Sequence, residues 1–148
     1  MRSHRLVLFG ALLAILLTAA PVAAATGGGG GGGIVITVDL TGTLDRGAAN
    51  ISGTLTCSPL WTSLPAVVDA NPYLTQPVGR LRSVSGGGSI RLSLDSCANP
   101  VAWQALVIPF SGKFAAGIAY VQVQAFGCDE AFNCDQGQTT AIVKLLRH

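Results

Sequence analysis

Histidine and glutamate, on which most enzyme sites depend, are almost missing from this sequence. Two histidines, His4 and His148, and one glutamate, Glu130, occur among 148 residues. Ser-His-Asp and Cys-His catalysis need a histidine that a third group holds rigidly, and His148 is the final residue of the chain. Zinc sites rich in histidine are excluded on the same count.

The acidic residues also lack the arrangement that glycosidases use. Such enzymes need two carboxylates at a fixed separation across a cleft, with the pKa of one raised by burial. The aspartates in the middle of the chain instead occupy strand-face or turn positions: Asp39, Asp45, Asp69 and Asp95. We therefore expect no catalytic residue, no cofactor and no enzymatic activity.

Residues 1–25 have the pattern of a secretory signal peptide. Arg2 and Arg5 form a basic start, a 15-residue apolar run extends from Leu6 to Ala20, and Ala23-Ala24-Ala25 offers the small residues of a cleavage site. The apolar run is shorter than the roughly 20 residues of a membrane span. We predict that this segment is removed, that the protein is secreted to an extracellular location, and that no membrane attachment follows cleavage.

Charge is scarce and balanced once the signal peptide is set aside. Removal of Arg2 and Arg5 from the nine Lys and Arg residues leaves seven basic residues against seven acids. A nucleic-acid interface needs a cluster of basic residues that neutralise phosphates. The nearest approach to such a cluster is an ordinary solvated strand face: Arg80, Arg82 and Arg91. We expect no nucleic-acid partner.

An unbroken run of seven glycines, Gly27 to Gly33, follows the signal peptide. Glycine loses the most backbone freedom on ordering and has no side chain to pack, so such runs are typical of flexible spacers. We predict a flexible linker over residues 26–33 and a single domain over residues 34–148.

From Ile34 onward, apolar and polar residues alternate with a period of two, as in Ile34, Ile36 and Val38 or Ile90, Leu92 and Leu94. This alternation is typical of half-buried antiparallel strands. About seven short strands without a helix predict an all-β fold. We expect an immunoglobulin-like antiparallel β-sandwich, with a small β-barrel as the alternative. The proline-containing region Pro59–Gln76 is predicted to be an edge strand with a long loop.

The four cysteines of an exported chain predict two disulfides. Cys57 is in phase with the apolar residues of its strand, so we expect a bridge to Cys97 within the core. Cys128 lies on the more polar face of its strand, six residues before Cys134, and we assign those two to a local bridge. A bend near Asp95-Ser96 would bring Cys97 into position. The other two pairings are also compatible with the sequence.

Two stretches carry a resemblance to known proteins. ISGTLTCSP (51–59) and CANPVAWQALVIPFSGKFAAGIAYVQVQAFGC (97–128) resemble a widespread group of small exported bacterial proteins. In that group an S-G-T-x-x-C strand, a tryptophan after the second cysteine and a G-x-F-x-x-G-x-A-x-V-x-V-x-A strand recur. The resemblance implies an immunoglobulin-like β-domain. The group has no assigned function, so no functional residue transfers.

Aromatic and amide side chains supply the main candidate for a ligand site. Rings that stack on sugars, with amides that bond to the hydroxyls, are how many β-proteins hold polysaccharides. The candidate residues are Trp61, Tyr73, Tyr120, Gln122, Gln124 and Phe126. The alternative is that these residues pack beneath the long loop. Trp103, in phase with Val101 and Ala105, is predicted to lie in the core.

The stretch FGCDEAFNCDQGQ (126–138) contains a cluster of oxygen-bearing side chains between two cysteines. A calcium site would use Asp129, Glu130, Asn133 and Asp135, because calcium takes six to eight oxygen ligands. Their spacing matches no EF-hand loop. A disulfide-closed loop with solvated acids is the favoured interpretation, and we expect no metal.

These observations favour a secreted, non-catalytic binding or surface-interaction module. The expected partner is an extracellular polysaccharide, the cell wall or a surface protein. Two alternatives remain open: a purely structural extracellular protein, and a small secreted inhibitor or ligand carrier that presents the loop Pro59–Pro72.

Overall fold

The computed structural model describes residues 33–147, and all their regular structure is β-strand. The predicted signal peptide and the linker up to residue 32 lie outside the described residues. No helix in the described part of the chain is long and apolar enough to cross a membrane. The strands are β1 Val35–Ile36, β2 Thr41–Asp45, β3 Ala48–Thr56, β4 Ala66–Val78, β5 Arg82–Gly87, β6 Ile90–Leu94, β7 Val101–Pro109, β8 Gly117–Cys128 and β9 Cys134–Arg147.

Seven of the nine strands form a closed ring. The order runs β3-β2-β9-β8-β4-β5-β7, and β7 pairs again with β3, while β1 adds to β3 and β6 adds to β4. Every pairing is antiparallel except the parallel pairing of β2 with β9. A sandwich would consist of two separate sheets. The prediction of a sandwich is therefore wrong, and the structure fits the alternative prediction, a small β-barrel.

Inward-facing residues fill the barrel, as the period-two alternation predicts. β8 shows it best, because Ala119, Val121, Val123 and Ala125 are buried while their neighbours face outward. Trp103 of β7 is 3% exposed, and its indole Nε1 donates to the carbonyl oxygens of Thr37 and Thr54 at 3.2 and 3.3 Å. The structure therefore places Trp103 in the core, where the sequence predicts it.

β4 is a central strand, so the prediction of an edge strand for Pro59–Gln76 is wrong. Its 13 residues pair with β8 on one side and with β6 and then β5 on the other. Pro72 lies where the partner changes from β6 to β5, and its carbonyl oxygen accepts a bond from the Gly88 N–H at 3.0 Å. In a strand the N–H and C=O of one residue point to the same side. The missing N–H of Pro72 therefore faces the break between β5 and β6 and costs no bond to β8.

The segment from Gly33 to Leu40 closes the seam between β3 and β9. The N–H groups of Thr37 and Asp39 donate to β3 carbonyls at 2.8 Å, and Leu40 accepts from Lys144 of β9 at 2.9 Å. A Cβ added at Gly53 or at Gly137 would overlap the backbone of this segment. Gly33 itself packs against the β9 backbone near Gln136, so the last residue of the predicted linker belongs to the domain.

Both disulfides lie at one end of the barrel, here named the cysteine end, which comprises the connections 57–65, 95–100 and 129–133. Cys57 is bonded to Cys97, with 5.5 Å between the Cα atoms, and Cys128 to Cys134, with 4.0 Å. These are the pairs that the sequence analysis assigns. Cys97 is exposed, so this bridge lies at the rim rather than in the core. The chain bends at Asp95, as predicted.

Candidate binding face

Five of the six predicted ligand-binding residues lie together on the outer surface of the barrel. Across the β4–β8 ladder Tyr73 is paired with Gln122, and Thr75 with Tyr120. Gln124 and Phe126 continue the same outward-facing row of β8. Directly paired residues in an antiparallel sheet share one face, about 5 Å apart. The ladder therefore assembles the aromatics and amides side by side.

β9 extends this surface with further uncharged side chains. Ile142, Thr140 and Gln138 pair with Tyr120, Gln122 and Gln124 respectively. We name the combined surface the neutral face: Asn71, Tyr73 and Thr75 of β4, Tyr120, Gln122, Gln124 and Phe126 of β8, and Gln136, Gln138, Thr140 and Ile142 of β9. The three aromatic residues of this face are substantially exposed: Tyr73 is 43%, Tyr120 55% and Phe126 55% exposed.

The charged groups nearest in register lie at the two borders of the neutral face. At one border, Arg91 donates two hydrogen bonds of 2.8 Å to the carboxylate of Asp69, which is paired with Phe126. The hydrogen bond from Arg91 holds the pKa of Asp69 below its usual value and raises the pKa of Arg91. At the other border Lys144 follows Ile142 along β9. The face is thus suited to an uncharged ligand.

Phe110 extends the face beyond the residues that the sequence analysis selects. It is 71% exposed, and its ring centroid lies 6.0 Å from that of Tyr73, with the ring planes 41° apart. A Cβ at Gly87 would lie 3.3 Å from Phe110 Cζ, so the ring covers bare backbone between β4 and β7. The outward alternation of Leu106 and Ile108 in β7 is the signal that predicts this position.

Trp61, the sixth predicted ligand-binding residue, lies apart from the neutral face. It lies in the 57–65 connection at the cysteine end, is half-buried, and packs against the core. Its Cζ2 atom lies 3.1 Å from where a Cβ on Gly127 would stand. Its indole Nε1 is buried with no hydrogen-bond partner among the described residues. Alternation assigns faces only within strands, so it could not place a residue of this loop.

Asp129 of the predicted calcium cluster braces two connections instead. Its Oδ2 accepts from the N–H groups of Thr62 and Ser63 at 2.8 and 3.1 Å and from Asn133 Nδ2 at 2.9 Å. Its Oδ1 accepts from the Asn133 N–H at 2.8 Å. Burial disfavours the charged carboxylate, but these hydrogen bonds outweigh burial and hold the pKa of Asp129 far below its usual range.

Of the remaining members of the predicted calcium cluster, Asp135 and Glu130 lie apart from Asp129, and Asn133 meets it as a hydrogen-bond donor. Asp135 accepts from the Ser58 hydroxyl and from the N–H of Gln136, and Glu130 is exposed. Asn133 uses its Nδ2 for Asp129 and Thr62. Within residues 33–147, no group of three or more His, Cys, Asp or Glu side chains is placed to hold a metal ion.

No protein-family model matches the chain, and no curated protein matches it. The resemblance to small exported bacterial proteins stays a prediction that rests on the two quoted stretches. Their strand-like parts lie in β3, β7 and β8. A function for the chain must therefore be inferred from the neutral face itself.

Proposed function

We propose that the protein is an exported, non-catalytic binding module that holds a neutral extracellular polysaccharide on its neutral face. The observation that carries this proposal is the pairing of Tyr73 with Gln122, beside Tyr120 and Gln124, on an exposed surface. Export agrees with the two disulfides, because disulfides persist in oxidising compartments. It also agrees with the predicted signal peptide and with the resemblance to exported bacterial proteins.

The side chains of the neutral face have complementary tasks. Exposed aromatic rings offer flat apolar surface on which the C–H faces of a sugar stack. Glutamine and asparagine amides each donate two hydrogen bonds and accept two, which suits hydroxyl groups that both donate and accept. Gln122 and Gln124 stand between the rings of Tyr120 and Phe126 along β8. The arrangement alternates stacking and hydrogen bonding along one strand.

The length and openness of the face favour a polymer over a single sugar. Tyr120 and Phe126 are six residues apart on one strand, which corresponds to about 20 Å at about 3.3 Å per residue. Three strands contribute to the surface, so it is an open platform and not an enclosed pocket. Polysaccharide of a cell wall or extracellular matrix is the ligand class that fits.

Retention on insoluble polysaccharides and isolated cell walls tests this proposal. We expect the oxidised protein to be retained, and Tyr120→Ala to weaken retention about tenfold, because a stacking ring contributes roughly 1.4 kcal/mol and that energy is tenfold in affinity. Phe132→Ala is the matched control, since Phe132 is an 87% exposed aromatic residue outside the neutral face. At about 1 M salt, where charge-driven contacts between copies are screened, it should bind as the unaltered protein does.

Three outcomes are informative. Loss of retention in Tyr120→Ala with an unchanged melting temperature supports the neutral face as the site. Equal loss in Phe132→Ala would show non-specific adhesion by exposed aromatics. No retention of the unaltered protein on any polysaccharide would overturn the proposal in favour of a structural role. A chelator should leave retention unchanged, because the predicted calcium ligands do not converge.

A further inference from the structure

Charge is segregated between the two ends of the barrel, although the domain is neutral as a whole. We name the end opposite the disulfides the distal end: the connections 46–47, 79–81 and 110–116 with the adjoining strand ends, including the last four residues of β9. It holds six basic side chains, which are Arg46, Arg80, Arg82, Lys113, Lys144 and Arg147. Its one acid is Asp45. The cysteine end, including the start of β9, holds no basic residue and four acids, which are Asp95, Asp129, Glu130 and Asp135.

Most of the distal basic side chains are exposed and have no partner in the described chain. The ion pairs within residues 33–147 are Asp45 with Arg46, at 4.0 Å, and Asp69 with Arg91. Arg80 and Arg82 therefore point to solvent from the tip of the β4–β5 hairpin. This concentration of like charge repels itself and disfavours the folded state, so an oppositely charged partner would relieve it.

Two of the distal connections, 46–47 and 110–116, are held in fixed positions relative to each other. The N–H of Phe114 donates to the Gly47 carbonyl at 2.9 Å, and the Lys113 stem lies over Gly47. The side-chain amide of Gln76 bonds both the N–H and the carbonyl of Ala115, at 2.8 and 2.7 Å. Arg46 and Lys113 are thus presented by connections that are bonded to each other and to β4.

Each end also carries an exposed apolar side chain at a hairpin tip. Leu81, between Arg80 and Arg82, is 97% exposed, and Phe132, two residues after Glu130, is 87% exposed. Apolar residues surrounded by charge that matches a partner are typical of protein–protein contacts. Both ends therefore have the composition of an interface, with opposite charge.

We propose that the distal end of one copy binds the cysteine end of another copy, so that the protein associates head to tail. Charge complementarity selects this occupant, because two distal ends or two cysteine ends would repel each other. A contact between two different surfaces of the same chain is heterologous and continues into linear assemblies unless it closes into a ring. Such an assembly would align several neutral faces and raise their avidity for a polymer.

Sedimentation velocity of the oxidised protein tests this association. We expect the sedimentation coefficient to rise with protein concentration at about 0.01 M salt and to return to the monomer value at about 1 M salt, since the screening length falls from about 30 Å to about 3 Å. Monomer at every concentration in low salt overturns the proposal. Association that is indifferent to salt also overturns it.

Two charge-neutralised variants distinguish head-to-tail contact from other modes. The first combines Arg80→Gln with Arg82→Gln and leaves the cysteine end intact. The second combines Asp95→Asn with Glu130→Gln and leaves the distal end intact. Each variant alone should be monomeric, because one half of the contact is lost. An equimolar mixture should form 1:1 dimers that grow no further, because a single intact contact remains.

A protein with all four substitutions is the control for net charge. It has the net charge of the unaltered chain but neither intact end, so it should remain monomeric alone and in either mixture. Arg91→Glu, away from both ends, should leave association as in the unaltered protein. Recovery of long assemblies in the mixture, or normal association of either double variant, would show that these ends do not form the contact.

Discussion

Aromatic residues of this barrel divide by exposure into those that hold the fold and those free to bind. Trp103 is 3% exposed and its Nε1 donates to two carbonyl oxygens, so its removal would leave a cavity and delete both of these hydrogen bonds. Tyr120 is 55% exposed, and its loss removes no core contact. Trp61 stands between the two, because it packs against the core from a loop. Loss of Trp61 should therefore lower stability and not binding.

Asp129 is the residue whose substitution should change the acid stability of the fold. Its folded-state pKa lies below its unfolded value, so its contribution to stability is present above the unfolded pKa of about 4 and is lost as pH falls from there toward the folded pKa. In Asp129→Asn an NH2 group replaces one carboxylate oxygen, so it would face either the three N–H donors on the Oδ2 side or the one on the Oδ1 side. We expect a lower melting temperature near neutral pH.

The test is thermal unfolding of Asp129→Asn and the unaltered protein at a series of pH values below about 6. The difference in melting temperature between them should shrink as the solution is made more acidic, because the unaltered protein alone loses the carboxylate. Glu130→Gln removes a neighbouring exposed charge and is the control. If the difference in melting temperature stays constant with pH, the charge of the Asp129 carboxylate does not contribute to stability.

The sequence predicts the buried and exposed faces of strands that alternate regularly. It does not predict the position of a strand in the sheet where that position depends on pairing with strands distant in sequence. β8 follows the inward and outward phases of its residues throughout. β4 was misjudged because Pro72 disfavours a central strand, and only the change of partner from β6 to β5 makes it tolerable. Alternation also cannot distinguish a barrel from a sandwich, because both bury one face of each strand.

The candidate site was predictable to the same extent. The phase of β8 groups Tyr120, Gln122, Gln124 and Phe126 correctly on one face. Tyr73 joins them through the β4–β8 register, which no local pattern specifies. The alternation of β7 predicts that Phe110 faces outward, but its contact with Tyr73 depends on bare backbone at Gly87, which no local pattern shows. Strand pairing, rather than residue type, decides which side chains of the site meet.

The segment Gly33 to Leu40, which lies between β3 and β9, should keep its position only if Gly53 has no side chain. A methyl group there would overlap the Thr37 carbonyl, and such overpacking costs about 1–3 kcal/mol, which exceeds the gain of roughly 0.4–1 kcal/mol from a stiffer unfolded chain. We expect Gly53→Ala to be destabilised in urea unfolding. Gln104→Ala, an exposed position on neighbouring β7, should change stability by less than about 0.5 kcal/mol.

Hydrogen exchange shows whether this loss is local. The amides of Thr37 and Asp39 bond to β3, so in Gly53→Ala they should lose more protection than the amides of β8. An equal loss at both places would mean that the segment does not detach separately and that the seam is no independent unit.

Backbone pairing closes the barrel around most of its circumference. At the cysteine end, where β6 and β7 of the described chain are not paired, a disulfide lies beside the gap. β6 pairs with β4, and within the described residues no ladder joins it to β7. The Cys57–Cys97 bridge connects the end of β3 to the connection between these two strands. It therefore spans the part of the cysteine end that strand pairing leaves open.

The two disulfides should contribute unequally to the stability of the whole molecule. Cys57–Cys97 joins residues 40 apart and Cys128–Cys134 joins residues 6 apart. In the chain-entropy model these closures stabilise by about 4 and about 2 kcal/mol respectively. Urea unfolding of Cys57→Ala with Cys97→Ala should therefore show the larger loss, compared with Cys128→Ala with Cys134→Ala. Cys128 and Cys134 are also directly paired in the β8–β9 ladder, so the hairpin should persist without this disulfide. Equal losses would mean that the short bridge stabilises the folded hairpin itself, beyond its constraint on the unfolded chain.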